Sequence, residues 1–483
     1  MKRVYLSLVL VAVLSFVGFA VYRSTFKARP ELTATKLRKA VADSNLVICV
    51  IDAARADHIG SYGYPRQTTP NMDALAQESA VFSNHFCQFP STRPSTASLF
   101  SSQYVDTHMI WGGRDEPEPD FTMPVGLNDS GFTTALFSSN LKASPAFGVG
   151  CAFQETCYTD ELKAIAREDE TYTQPEVLLR AFSAWLDQNK GERFFAYVHF
   201  LPPHYPYRPP DEMTELFADE EPPGFSPDRY HPEEYEFPIV QKRPYHEYPP
   251  LPEWINLYDA NLRYADWAVG RLVEVLRDAE VLDSTLLIVT SDHGEAFGEH
   301  GYVWHSRAIH DEATRIPLLI RFPRGEGPVG THHALTQTID LLPTIYDLYQ
   351  IPVPDNTVQG RSLLPLLTGA ASSVNDCGVI RSVGPSKYMV RGAGYAMLLY
   401  DNPEWRALYD TERDPEQREN ILHANQDKAE ELMAAFARWA DSQRLPPRRF
   451  VDAGAAEAVE EQVPEIELTP EKERELRALG YLN

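Results

Sequence analysis

Asn45–Asp52, NLVICVID, is a short apolar run, rich in β-branched residues, that ends in an acid. Such a run reads as a strand buried on both faces of a parallel sheet. Its terminal carboxylate then lies at the carboxyl end, where α/β proteins bind ligands. The same pattern recurs in Phe194–Phe200 (FFAYVHF) and Thr285–Asp292 (TLLIVTSD), and Arg315–Phe322 (RIPLLIRF) is a fourth such run. Between them lies Asn256–Arg277, whose apolar residues fall at three- and four-residue steps, the period of a helix. Strands alternating with helices imply an α/β sheet covered on both faces.

Outward from these runs the chain changes character. Pro202–Pro252 is dense in Pro, Glu and Tyr and lacks periodicity; it is expected to be a loop insertion over the sheet edge or a lid. Small polar residues from Thr368 to Asp376 suggest a boundary. The sequence thus divides into a catalytic unit over 45–370, a smaller unit over 377–445 with a strand-like stretch at Lys387–Tyr400 and a helix near Gln426–Gln443, and a charged tail over 446–483. At the other end, Lys2 and Arg3 precede an uncharged run of 19 residues, Val4–Tyr22. Residues 1–25 therefore read as a membrane anchor or as a signal peptide cleaved after Ala20, and either one exports the rest of the chain. An anchored extracytoplasmic domain and a periplasmic or secreted protein are both consistent with this.

Acidic residues outnumber basic ones, giving a net charge of −25, which argues against a general affinity for nucleic acid or anionic lipid. Membrane contact is expected only through the N-terminal segment. Five cysteines are too few for a disulfide framework; Cys151 and Cys157 are the pair able to join in an oxidising compartment.

Three segments carry chemistry. Asp52 sits at a strand end within IDAARADHIGSYGY, where it serves either as a ligand-facing carboxylate or as a helix cap. Ser91–Ser102, STRPSTASLFSS, sets hydroxyls before a helix, whose positive end stabilises an attacking alkoxide and anionic substrate oxygens; the plainer reading is an N-capped turn. Thr290–Gly301, TSDHGEAFGEHG, runs straight from a buried strand into adjacent Asp292 and His293 beside glycines, as a metal site requires.

Together these segments resemble the sulfatases of the alkaline phosphatase superfamily. IDAARADHIGSYGY followed by TTPNMDALAQES is similar to the family's first metal-binding segment, and TRPSTASLFSS to its Cys-x-Pro-Ser-Arg-Ala-Ser-Leu-x-Thr-Gly signature, with Thr92 at the cysteine. HFLPPHYPY, TSDHGEAFGEHGYVWHS, DEATRIPLLIRFP, IDLLPTIYDLYQIPVP, QGRSLLPLLTG and LYDTERDPEQRENIL follow in family order, so the resemblance extends from residue 45 to 422. It implies a sandwich with a large mixed, mostly parallel sheet flanked by helices, and a smaller C-terminal α+β subdomain. It also implies a metal held by Asp52, Thr92, Asp292 and His293, with Thr92 as nucleophile. His204 is implied to bind the anionic group, and His305 to contact the leaving-group oxygen, as its general acid or as a packing residue. Asn140 is a hydrogen-bond donor to the anion or a turn residue. Arg55, matching the family's arginine near the first ligand, is structural or supports that ligand, and His300 reads as structural.

The departures from the family are chemical. Threonine has no route to the formylglycine that sulfatases make from Cys or Ser. Thr96 replaces an arginine, Ala53 stands where many sulfatases have a second acidic ligand, and no tandem Lys-x-His surrounds Asn140. Threonine nucleophiles occur among phosphodiesterases, phosphonate hydrolases and envelope phosphotransferases of the superfamily. His204 has no acidic partner for a second metal, so one divalent ion is expected. An imidazole in its shell favours manganese or zinc, with calcium the oxygen-ligand alternative. The expected activity is hydrolysis of a small sulfate or phosphate ester. The alternatives are transfer of a phosphoryl head group to an envelope acceptor, and an inactive sulfatase-like binding protein.

Overall fold

The computed structural model describes residues 32–111, 119–218, 220–225, 251–354, 357–383, 387–400 and 402–443. The N-terminal apolar run, residues 226–250 of the proline-rich insertion and the charged tail lie outside the described residues. Among the described residues, no helix is long and apolar enough to cross a membrane.

The large sheet has nine strands. In chain order they are β1 (Asn45–Ile51), β2 (Ala80–Phe86), β3 (Thr133–Ser138), β4 (Glu155–Tyr158), β5 (Phe194–Phe200), β6 (Thr285–Ser291), β9 (Arg315–Ile316), β10 (Leu318–Arg321) and β11 (Gly330–Gln337). Between β6 and β9 a short hairpin is formed by β7 (Ala296–Phe297) and β8 (Val303–Trp304). The spatial order is β11-β2-β10-β6-β1-β5-β3-β4, with β9 paired to β2. The central strands β6, β1, β5 and β3 are parallel.

The fourth apolar run departs from expectation. Pro317 divides it into β9 and β10, and β10 runs antiparallel to both β6 and β2. The segment leaving β6 enters the β7–β8 hairpin and one turn of helix, and then comes straight back without a crossover helix. Such a connection yields an antiparallel neighbour.

Side-chain alternation along the strands fills both faces. Val47, Cys49 and Ile51 point into one core with the helices Pro175–Asn189 and Leu251–Asp278. Leu46, Ile48 and Val50 point into another, with the helices Thr92–Ser101 and Leu341–Tyr349. Beyond the large sheet, β12 (Gly378–Ser382), β13 (Lys387–Gly392), β14 (Tyr395–Leu399) and β15 (Ala407–Asp410) form an antiparallel four-stranded sheet. The helix Gln426–Ser442 packs against it. Cys151 and Cys157 are not joined by a disulfide.

Candidate active site

The carboxyl ends of four neighbouring strands deliver the polar groups. The parallel register pairs Ile51 with Ser291, so Asp52 and Asp292 are the next residues out on β1 and β6. His199 lies near the end of β5, and Asn140 follows β3. Alternation sends Asp52, His199 and Asp292 to the face that carries Val50, Tyr197 and Ile288, which is the face covered by the helix Thr92–Ser101. Thr92 opens that helix, and Ser91 supplies no side-chain cap, so the positive end of the helix lies at Thr92.

Every one of these groups is buried: Asp52, His199 and His293 are 0% exposed, Thr92 1% and Asp292 2%. Thr92 Oγ1 stands 3.3 Å from His293 Nε2 and accepts from Asn140 Nδ2 at 3.2 Å. His293 Nε2 lies 3.6 Å from Asp52 and 3.5 Å from Asp292. His199 Nε2 lies 3.3 Å from Asp52 and 3.8 Å from Asp292. Asp292 Oδ1 is taken by the backbone N–H groups of Ala53 and His293, and Asp52 Oδ2 accepts from Asn140 Nδ2. Asp52 Oδ1, Asp292 Oδ2 and His199 Nε2 are left with no hydrogen-bond partner. Orphaned polar atoms that converge in a buried centre are costly unless an ion satisfies them, so these residues fit a cation.

Ring tautomers agree with that fit. His293 Nδ1 donates to Gly294 O at 2.8 Å, which turns the Nε2 lone pair of the neutral ring toward Thr92 and the two carboxylates. His199 Nδ1 is held by Tyr197 Oη at 3.0 Å. Asp52, His199 and Asp292 each offer a ligand atom within 4.8 Å of the others. Burial opposes the charged form of Asp52, but His204, His199 and His293 outweigh it and hold the carboxylate below its usual range.

Beyond the carboxylates lies a cluster of nitrogen bases. The ring of His305 is 4.4 Å from that of His293 and 4.9 Å from that of His204. Burial lowers the pKa of His204 and pushes that of His305 well below the ordinary value, and mutual repulsion with His293 and Lys142 adds to both effects. Burial likewise brings Lys142 down to about 8, against the pull of Asp52. An anion placed among these groups supplies the negative charge that they lack.

Thr92, Asn140, His204, Asp52, Asp292, His293 and His305 therefore share one centre. Asn140 takes the turn role, its Oδ1 accepting from Lys142 N at 2.8 Å, while its Nδ2 donates to Asp52 and Thr92. Arg55 is occupied by Asp57, Glu299 and the Glu295 carbonyl. His300 lies away from the centre, between Glu312 and Gln417 O.

Sequence reasoning missed His199 and Lys142. A lone polar residue at the carboxyl end of the apolar run FFAYVHF was the available signal for His199; Lys142, in a turn, offered none.

A family model described as Sulfatase matches residues 44–351, well over half of the chain. A second, described as N-sulphoglucosamine sulphohydrolase, C-terminal, matches residues 298–440. The uncharacterized sulfatase YidJ of Escherichia coli (strain K12) is 28% identical over 362 residues, covering 66% of this chain and 70% of that one. The N-sulphoglucosamine sulphohydrolase of Homo sapiens is 28% identical over 333 residues, covering 64% of this chain and 63% of that one. The chain thus spans about two thirds of the length of these relatives. Among solved structures, the phosphonate monoester hydrolase of Agrobacterium radiobacter superposes with a TM-score of 0.68 at 21% identity, covering 83% of this chain and 95% of that one. That likeness speaks for the fold.

Proposed function

The chain belongs to the sulfatase family, and from that premise we propose that it hydrolyses a small sulfate or phosphate ester with Thr92 as nucleophile. The observation that carries the reading is the convergence of Thr92 Oγ1, at a helix N-terminus, with the orphaned oxygens of Asp52 and Asp292.

The sulfatase family is metal-dependent. Here Asp52, Asp292, His293 and His199 would hold one divalent ion together with Thr92. Two imidazoles beside two carboxylates favour manganese or zinc over calcium. When bound, the ion supplies a lowered pKa for the Thr92 hydroxyl and a charge to neutralise a substrate oxygen. The chain's own residues do the rest. Asn140, Lys142 and His204 bind and orient the anionic group, and the helix N-terminus adds its positive end. Thr92 Oγ1, already ionised to the alkoxide, attacks sulfur or phosphorus while the bond to the leaving oxygen breaks, and His305 gives that oxygen a proton. Water then attacks the Thr92 ester, returns a proton to His305 and frees Thr92. Exclusion of bulk water by the buried walls strengthens each of these charge interactions.

The N-terminal apolar run is proposed to carry the catalytic unit out of the cytoplasm. A retained set of orphaned ligands supports an enzyme over an inactive binding protein, because unfilled buried carboxylates are costly.

The test uses an aryl sulfate and an aryl phosphodiester with the manganese- or zinc-loaded protein and Thr92→Ala as control. Turnover of at least one ester should fall by about a thousandfold or more in the variant, with an unchanged circular dichroism spectrum. Turnover retained by Thr92→Ala removes Thr92 as nucleophile. The preferred ester tells sulfate chemistry from phosphate chemistry, and a threonine that never becomes an aldehyde leads us to expect the phosphodiester.

A further inference from the structure

The geometry points to Glu295 as a positioning residue that fixes the working nitrogen of His305 and matches the site to esters of aliphatic alcohols. The inference rests on the hydrolase reading above and deepens it.

The β7–β8 hairpin brings the two residues together. Its register pairs Phe297 with Val303 and Ala296 with Trp304, so Glu295 and His305 are the next pair toward the centre. Glu295 is 0% exposed, and its Oε1 lies 3.0 Å from His305 Nδ1. Its Oε2 accepts from Tyr207 Oη at 3.4 Å. The backbone of Glu295 is fixed as well: its N–H donates to Glu312 O at 3.0 Å, and its carbonyl accepts from Arg55 at 3.1 Å.

His305 is held from both sides in the chain. Trp304 and Ser306 have φ of 63° and 71°, the left-handed region that non-glycine residues avoid at a cost of about 1–3 kcal/mol each. The surroundings over-determine this conformation. Ser306 N donates to Pro90 O at 2.6 Å, and Ser306 O accepts from Val383 N at 3.0 Å. The Trp304 ring packs 5.4 Å from Tyr205 and 5.7 Å from Trp254. Pro90 lies two residues before Thr92, so the loop of the nucleophile and the loop of His305 are tied together. Two strained residues flanking a histidine whose ring packs on His293 and His204 mark a position that is held for chemistry rather than for stability.

In the proposed arrangement Nδ1–H is donated to Glu295, and the imidazole has one nitrogen, Nε2, left for the substrate. In the forward step the imidazolium that His305 forms between Glu295 and the bound anion passes its Nε2 proton to the leaving oxygen as the bond from that oxygen to sulfur or phosphorus breaks. Because Nδ1 keeps its proton, Nε2 is left with a lone pair on the same side, ready to take the proton of the water that cleaves the Thr92 ester. One nitrogen gives and then takes, and the cycle closes with no net gain or loss of protons. A phenolate leaves without such help, whereas the alkoxide of an alcohol or of a sugar hydroxyl does not. A buried Glu–His pair is therefore spent on poor leaving groups.

The test has a spectroscopic arm and a kinetic arm. In protein labelled with ¹⁵N-histidine, the His305 resonances (assigned with His305→Gln) should report a protonated Nδ1 in the wild type and in Glu295→Gln, and a mixture of tautomers in Glu295→Leu. A wild-type ring protonated on Nε2 alone overturns the proposal, even if Glu295→Leu does not fold. In the kinetic arm, the ratio of kcat for an alkyl ester to kcat for the matching aryl ester should fall about tenfold or more in Glu295→Leu and recover in Glu295→Gln. An unchanged ratio in Glu295→Leu, or a Glu295→Gln that behaves like Glu295→Leu, overturns it. If neither ester is turned over, the hydrolase reading fails, while the ¹⁵N arm still decides the role of Glu295.

Discussion

At the scale of single residues, the site depends on atoms that the polypeptide leaves unsatisfied. Asp292 spends Oδ1 on two backbone N–H groups and turns Oδ2, without a partner, to the centre. His199 does the same with its ring: Nδ1 rests on Tyr197 Oη, and Nε2 faces Asp52 and Asp292. A histidine so placed should contribute to metal affinity directly. His199→Ala is expected to weaken manganese or zinc binding about tenfold or more, read by titration calorimetry or by competition with a chromophoric chelator. Affinity equal to wild type would remove His199 from the ligand set and leave it as packing beneath Asp52. In the sequence, Asp52, Asp292 and His293 were legible because an acid ends each strand run and the family resemblance places ligands there. His199 was not, because whether it faces the same side as Asp52 depends on the register of β5 against β1, a tertiary fact.

At the scale of elements, strand ends and the loops leaving them must come very close to one another. Gly294 sits directly after the metal-site residues, and a Cβ there would stand 2.2 Å from Glu312 O, a backbone atom with little freedom to move. The Gly294 N–H also donates to Ala313 O at 2.9 Å, and its carbonyl receives His293 Nδ1. Gly294→Ala should therefore destabilise the fold by about 2 kcal/mol or more in denaturant unfolding, and should loosen metal binding by tilting the His293 ring. Stability within about 0.5 kcal/mol of wild type would contradict the close packing of these two segments. The turn after β1 is likewise fixed from a distance: Ala53 adopts φ 60°, and Tyr258 Oη donates to Ala53 O and accepts from Arg55 N, both at 2.9 Å.

At the scale of the whole molecule, the large sheet and the small antiparallel sheet meet in a polar seam. His300 Nδ1 lies 2.8 Å from Glu312 and its Nε2 3.2 Å from Gln417 O, while its ring stacks on His310 at 3.7 Å. Arg391, on β13, reaches Asp311 at 2.8 Å, and Gln417 bonds to the same carboxylate. Burial disfavours the charged form of His300, but Glu312 and Glu299 outweigh it and raise its pKa to about 9. A histidine whose folded-state pKa lies above its ordinary value of about 6.5 stabilises the fold fully below that value. The contribution is lost as pH rises through about 9. Thermal unfolding followed from neutral to alkaline pH should show the wild type losing about 2 kcal/mol more than His300→Gln across this window. Parallel pH profiles for the two proteins would show that the seam does not depend on a protonated His300.

Local sequence alone settled the layered α/β architecture, the buried strands β1, β5 and β6, and the long helix after the proline-rich insertion; Asp52, Thr92 and Asp292 were singled out only once these segments were set beside the family they resemble. The fold was legible because its signals are local: apolar runs of strand length and helical periodicity. Other features waited on the folded chain. The direction of β10 followed from a return without a crossover helix, and the entry of His199 into the centre followed from β-sheet register. The pairing of Glu295 with His305 followed from a hairpin with only two residues in each strand. Each of these depends on which backbone lies beside which, and residues far apart in the chain carry no local signal of it.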